Sequence, residues 1–158
     1  TFQRCCRSAC QRNVREAASE HSDRKLPRRV SGLTGPVIKL TFCLHRLPEL
    51  SRADFQAYWR EKHAPLVAKH SSTLNIQRYV QTHTLTHDAN TVIRETRGGP
   101  EEYDGIAELW WESWESYAGV ATNPGAAEAS TALLEDEKKF IDLARSPLWL
   151  NEEHVIVG

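Results

Sequence analysis

Apolar and polar positions alternate along Val37–Leu44. Ile38, Leu40, Phe42 and Leu44 fall on one face, and Lys39, Thr41 and Cys43 on the other. A period of two predicts a strand with one buried face. From Ser51 the period changes. Ser51 followed by Asp54 reads as a helix N-cap with a carboxylate near the positive helix end. Phe55, Tyr58, Trp59 and Leu66 then recur at helical spacing to about Val67. Ser71-Ser72-Thr73 break that pattern. Asn75–Leu85 is rich in strand-forming residues and predicts a second strand, with Gln77, Tyr79, Gln81 and His83 on one face. Residues 86–102 are polar and end in Gly98-Gly99-Pro100, which predicts a loop with room for a turn of helix around Asn90–Glu95. Asp104–Trp111 is the third expected strand, with Ile106, Glu108 and Trp110 opposite Ala107, Leu109 and Trp111. Ser113 caps a short helix to about Thr122, and Asn123-Pro124-Gly125 interrupts it. A helix over Ala126–Ala144 follows, ended by Arg145-Ser146-Pro147, and a last strand is expected from about Glu153 to Val157.

The order is β, α, β, β, α, β, the split β-α-β arrangement of an α+β, ferredoxin-like sandwich. Two helices cover one face of a four-stranded sheet, so the other face meets solvent or a partner. If the apolar face of the first and third strands points at the helices, the uncovered face carries Lys39, Thr41, Cys43, Glu108 and Trp110. Tyr79, Gln81 and His83 are expected there too, from the second strand. Such a face is polar but rich in aromatic and titratable groups. An open sheet facing water and the lining of a cavity would both look this way.

Composition narrows the class. At 158 residues, 40% hydrophobic and 26% charged, the chain fits one ordinary globular domain. A formal net charge of −1 implies no pull toward nucleic acid or membrane, and no apolar run approaches the ~20 residues that span a bilayer. Residues 1–36 stand apart. They hold Arg4, Arg7, Arg12, Arg15, Arg24, Arg28 and Arg29 and few large apolar side chains. Such a segment cannot bury enough surface to offset its ordering entropy, so a disordered extension is expected, with the folded domain at 37–158. A sharper reading makes it translated leader from a misassigned start, with Val37 at the true beginning. Three cysteines crowd the start (Cys5, Cys6, Cys10) and one sits in the first strand (Cys43); no CxxC pair exists. A reducing cytoplasm is the simplest reading, with no metal site.

Tyr58-Trp59-Arg60-Glu61-Lys62-His63-Ala64-Pro65-Leu66-Val67 resembles the first-helix signature of the EthD family, within the dimeric α+β barrel superfamily. The resemblance continues through Arg78–His83, Tyr103–Trp111, Phe140-Ile141-Asp142 and Trp149. It implies a homodimer in which two sheets meet face to face and enclose a cavity for a small-molecule substrate.

Within that frame, four residues are candidates for catalysis. Trp59 and His63 are four apart and share a helix face, and Pro65 can bend the helix to turn His63 toward a cavity mouth. An imidazole with an ordinary pKa near 6.5 exchanges protons at neutral pH. The alternative is a histidine that caps helix carbonyls or bonds Glu61 or another local carboxylate. Tyr79 and His83 are four apart on a strand and share a face. Glu108 on the third strand is placed to orient His83 or share a proton with it; the alternative is a buried hydrogen-bond cluster. Lys39 would offset Glu108 or bind an anionic substrate. Thr41, Gln81, Trp59 and Trp110 complete the expected binding surface. Trp59, Trp111 and Trp149 also suit the core, and Glu135–Lys139 reads as a solvated helix face. No glycine-rich phosphate loop or dinucleotide fingerprint is visible, so no cofactor is expected. The expected function is cofactor-free acid/base chemistry, such as isomerisation, dehydration or decarboxylation, on a hydrophobic or aromatic metabolite. An oxidoreductase or monooxygenase, and a non-catalytic metabolite-binding accessory to an oxygenase pathway, are the competing readings.

Overall fold

The computed structural model describes residues 37–157. Four strands, β1 (Ile38–Leu44), β2 (Arg78–His83), β3 (Gly105–Trp111) and β4 (Leu148–Glu152), form one antiparallel sheet in the order β2-β3-β1-β4. This is the ferredoxin-like α+β arrangement that the order of elements predicts. The expected extension over residues 1–36, with Cys5, Cys6 and Cys10, lies outside the described residues. Among the described residues, no helix is long and apolar enough to cross a membrane.

The first helix begins where its cap says it should. Ser51 Oγ accepts the backbone N–H of Asp54 at 3.1 Å, and α1 runs Arg52–Tyr58. It continues through a π-helical turn, Trp59–His63, into α2 (Ala64–His70). Pro65 follows that turn and has no N–H to give a preceding carbonyl. The sequence placed a bend here; the structure widens the helix by a residue instead. A third helix, α3 (Asp88–Arg97), is followed by α4 (Trp114–Gly119), capped by Ser113, and α5 (Ala126–Glu137).

The apolar face of the sheet is the expected one for β1 and β3. Ile38, Leu40, Phe42 and Leu44 pair with Trp111, Leu109, Ala107 and Gly105. Phe42, Leu44 and Ala107 join Phe55, Trp59, Phe140 and Ile141 in the main core. Each large apolar side chain of this kind contributes about 1.5–3 kcal/mol when fully buried.

Several expectations are corrected. Residues 86–102 are not a loop with one turn of helix: α3 has ten residues, its N-terminus capped by His87 Nδ1 accepting the Ala89 N–H at 3.0 Å. No residue of α3 is buried; Ala89, Val92 and Ile93 recur at helical spacing, but the face they form is exposed. The last helix ends at Glu137 rather than Ala144. The chain turns there, the Phe140 carbonyl accepts the Leu47 N–H at 3.0 Å, and Ile141 bridges Arg46. The last strand is Leu148–Glu152, not Glu153–Val157, and Trp149 is exposed on it rather than in the core.

A further correction concerns which way β2 faces. Tyr79 pairs with Leu109, Gln81 with Ala107 and His83 with Gly105. Directly paired residues share a face. Tyr79, Gln81 and His83 therefore look at the helices, and Arg78, Val80 and Thr82 take the uncovered face with Trp110, Glu108 and Ile106. Glu108 cannot orient His83, because the sheet lies between them. The strand is polar on both faces, so alternation alone left its register open.

Candidate active site

Trp59 organises the site. Its indole lies parallel to the His83 imidazole, with ring centroids 4.7 Å apart and an interplanar angle of 10°. The indole Nε1 donates to Tyr79 Oη at 2.9 Å. Gln81 Nε2 donates to the Trp59 carbonyl at 3.0 Å and to Tyr79 Oη at 2.9 Å. Gln81 Oε1 then faces His83 Nε2 at 3.0 Å. An amide oxygen only accepts, so this contact puts the His83 proton on Nε2 and leaves Nδ1 with a lone pair. Burial lowers the His83 pKa, and the charge of Arg60 lowers it further. Burial drives Tyr79 the other way, up to about 12, so its hydroxyl stays protonated.

The close approach of Trp59 depends on Gly105. A Cβ at that position would sit 2.5 Å from Trp59 Cζ3 and 2.9 Å from the Thr82 carbonyl oxygen. Gly105→Ala is expected to push the indole off the sheet and loosen the stack on His83. The cost should be about 1–3 kcal/mol by urea denaturation, the range for overpacked cores, with a changed near-ultraviolet circular dichroism spectrum. An unchanged spectrum and unchanged stability would show that the indole has room to move.

One helical turn beyond Trp59 lies His63, 4% exposed. Its Nδ1 is 2.9 Å from Asp136 Oδ2. Tyr58 Oη donates to Asp136 Oδ1 at 2.8 Å, and Lys139 Nζ donates to the same oxygen at 3.0 Å. Burial works against the Asp136 carboxylate, but the hydrogen bonds from His63, Lys139 and Tyr58 outweigh it and hold the group below its ordinary range. Burial lowers the His63 pKa in spite of Asp136. A neutral imidazole beside an ionised carboxylate donates from Nδ1 and keeps its lone pair on Nε2. The carboxylate partner of His63 is thus Asp136, from the helix across the core, and not Glu61, which is exposed.

Asp136 and its neighbour Glu137 correct the reading of Glu135–Lys139 as a solvated face. Asp136 is 8% exposed. Glu137 is half-buried; burial, then the Asp136 charge, pushes its pKa up to about 7. Its charge also acts on Tyr79. Sequence reasoning missed Gly105, Asp136 and Glu137. The two acids sit in a run of charges that locally looks solvated, and only α5 packing against the π-helical turn brings them to His63 and Tyr79.

The remaining candidates lie across the sheet. Lys39 Nζ is 2.6 Å from Glu108 Oε1. Lys39 lies 5.2 Å, and Arg78 4.4 Å, from the centre of the Trp110 ring. Trp110 Nε1 is buried without a hydrogen-bond partner among the described residues. Thr41 Oγ1 accepts Asn151 Nδ2 at 3.0 Å. The predicted residues thus separate into a helix-side group (Trp59, His63, Tyr79, Gln81, His83) and an open-face group (Lys39, Thr41, Glu108, Trp110). Among the described residues, no group of three or more His, Cys, Asp or Glu side chains could hold a metal ion.

Comparisons with known proteins agree with this architecture. A search of curated proteins found no match. An ethyl tert-butyl ether D (EthD) family protein from Bacillus halodurans C-125 superposes with a TM-score of 0.51 at 19% identity, over 75% of this chain and 99% of that one. An EthD-like protein from Ralstonia eutropha JMP134 gives 0.50 at 20% identity, over 78% and 95%. A dimeric ferredoxin-like protein of unknown function from Thermobifida fusca YX gives 0.50 at 9% identity, over 77% and 94%. These likenesses establish the fold. The sequence itself matches the profile of the EthD domain over residues 47–144, more than half of the chain, and the protein therefore belongs to the EthD-domain family.

Proposed function

We propose that this EthD-family domain is a homodimeric enzyme that performs cofactor-free acid/base chemistry on a small hydrophobic or aromatic metabolite. One observation carries the reading. Two imidazoles, His63 and His83, flank Trp59, and each is held through one ring nitrogen by a fixed acceptor. Each keeps its other nitrogen as a base. Lowered pKa values keep both rings neutral at pH 7, the form a general base needs. Asp136 would stabilise the imidazolium formed when His63 takes a proton. Tyr79, held protonated, would donate to the oxygen on which negative charge develops. The flat stack of Trp59 on His83 suits a planar substrate. Glu108, Lys39, Thr41 and Trp110 belong on this reading to the contact between two sheets. The uncovered face and the exposed Trp149 support that contact, as does the dimeric description of the Thermobifida relative.

The test is a panel of aromatic acids, lactones and polyketide-like phenols, assayed for binding and for product, with light scattering for mass. His63→Ala and His83→Ala are expected to keep ligand binding and to lower turnover by about 10²–10⁴-fold, the usual size of a positioned acid or base. Ligands that bind with no turnover in any case would make the protein a carrier. A single-chain mass would remove the dimer.

A further inference from the structure

We propose that this chain has a second site, an arginine-lined cleft that binds a small oxyanion-bearing molecule, a phosphate or a carboxylate. The cleft measures about 320 Å³, and Arg46, Arg52, Arg94 and Arg145 line it together with His45. These residues come from four separate segments: the turn after β1, the start of α1, the middle of α3 and the turn before β4. None of the residues assigned above to acid/base chemistry lines it.

The balance of charge points to an anion. Asp104 is 3% exposed at the floor. Its Oδ1 accepts both Arg46 Nη1 and Arg52 Nε, the latter at 3.0 Å, and its Oδ2 accepts the Arg46 backbone N–H at 2.9 Å. Glu102 lies 3.4 Å from Arg52 Nη2 and 3.3 Å from Arg94 Nη1. Three guanidiniums thus share two carboxylates. Arg145 adds a fourth and pairs with no carboxylate within 4.0 Å among the described residues. Glu101, the third acid of the lining, is exposed.

The geometry suits recognition rather than simple neutralisation. Arg46 is fixed, with Nε donating to the Leu50 carbonyl at 2.9 Å and Nη1 on Asp104. Arg94 meets Glu102 only at the long end of hydrogen-bond range, so its outer N–H groups remain for a ligand. A guanidinium fork matches the two oxygens of a carboxylate or phosphate. A recessed site with excess positive charge also concentrates anions from solution.

The test is isothermal titration of the full chain with inorganic phosphate and, separately, with succinate, each against chloride at equal ionic strength. Arg94→Gln and Arg145→Gln are the variants, because neither side chain touches Asp104 and both should fold as the parent does by circular dichroism. Saturable binding with a Kd of about 1 mM or tighter, weakened about tenfold in at least one variant, is the expected result. Preference for phosphate or for succinate then assigns the oxyanion class. No saturable heat with either ion up to about 20 mM, or binding that both substitutions leave unchanged, would overturn the proposal.

Discussion

Asp136→Ala is expected to destabilise the folded domain by about 2–4 kcal/mol at pH 7, read from urea denaturation midpoints. Three donors converge on that carboxylate. The bond from Lys139 contributes little, because the ammonium is mostly in water. The other two carry the effect. Removing the carboxylate leaves the His63 N–H unpaired in a site 4% exposed, and the Tyr58 hydroxyl unpaired beside it. An orphaned buried donor costs about 1–3 kcal/mol, and a hydrogen bond to a charged group is worth about 1.5–3 kcal/mol, so the two sites together reach the stated range. Domains of this size have only about 5–15 kcal/mol to lose.

The same cluster sets an acid limit on stability. His63 has a folded pKa below the ordinary 6.5. As pH falls below about 6.5, the unfolded chain takes that proton first, and stability declines until the folded value is reached. Asp136 acts at lower pH. Its folded pKa lies below the unfolded value, so its contribution is complete above about 3.9 and disappears as pH falls through the folded pKa. A change below about 0.5 kcal/mol in Asp136→Ala would mean a solvated carboxylate, as its local sequence suggests.

How much of this was legible beforehand follows from which signals are local. The alternation of Val37–Leu44, the Ser51 cap and the Ser113 cap are local, and each element lies where its pattern puts it. The Tyr58–Val67 signature and its continuation carried the family, and the fold came with it. The facing of β2 was not legible. Tyr79, Gln81 and His83 alternate with Arg78, Val80 and Thr82, and neither set is distinctly apolar, so only pairing to β3 fixes which side is in. The partner of His63 was not legible either, since 73 residues separate it from Asp136. The pattern puts Tyr79, Gln81 and His83 on the uncovered face with Glu108; pairing to β3 turns them to the other side of the sheet, against Trp59. Gly105 could have been suspected. A glycine opening a strand often marks the close approach of another group, and here that group is the ring of Trp59.

Glu137→Gln is expected to stabilise the domain by about 2–3 kcal/mol at pH 8.5, and the gain should vanish near pH 4.5. Raising a carboxyl from its usual 4.5 to about 7 corresponds to about 3 kcal/mol. The direction is set by which state holds the proton. Between pH 4.5 and 7 the folded chain keeps it while the unfolded chain gives it up, so stability falls as pH rises across that window. Above about 7 the native state holds a half-buried carboxylate beside Asp136, and the full penalty persists. A neutral amide of the same shape removes the penalty at every pH, which is why the difference between parent and variant should track the titration. A flat difference from pH 4.5 to 8.5 would show that Glu137 is not raised at all. The position also bears on function, because the Glu137 charge acts on Tyr79, the group proposed to donate to the developing oxyanion. A destabilising carboxylate at such a place is what an active site retains when stability and activity compete. Glu137→Gln should then be more stable and slower in turnover, with a pH–rate profile that loses its inflection near 7. A variant that is more stable and equally fast would confine Glu137 to packing, and leave His63, His83 and Tyr79 as the working groups.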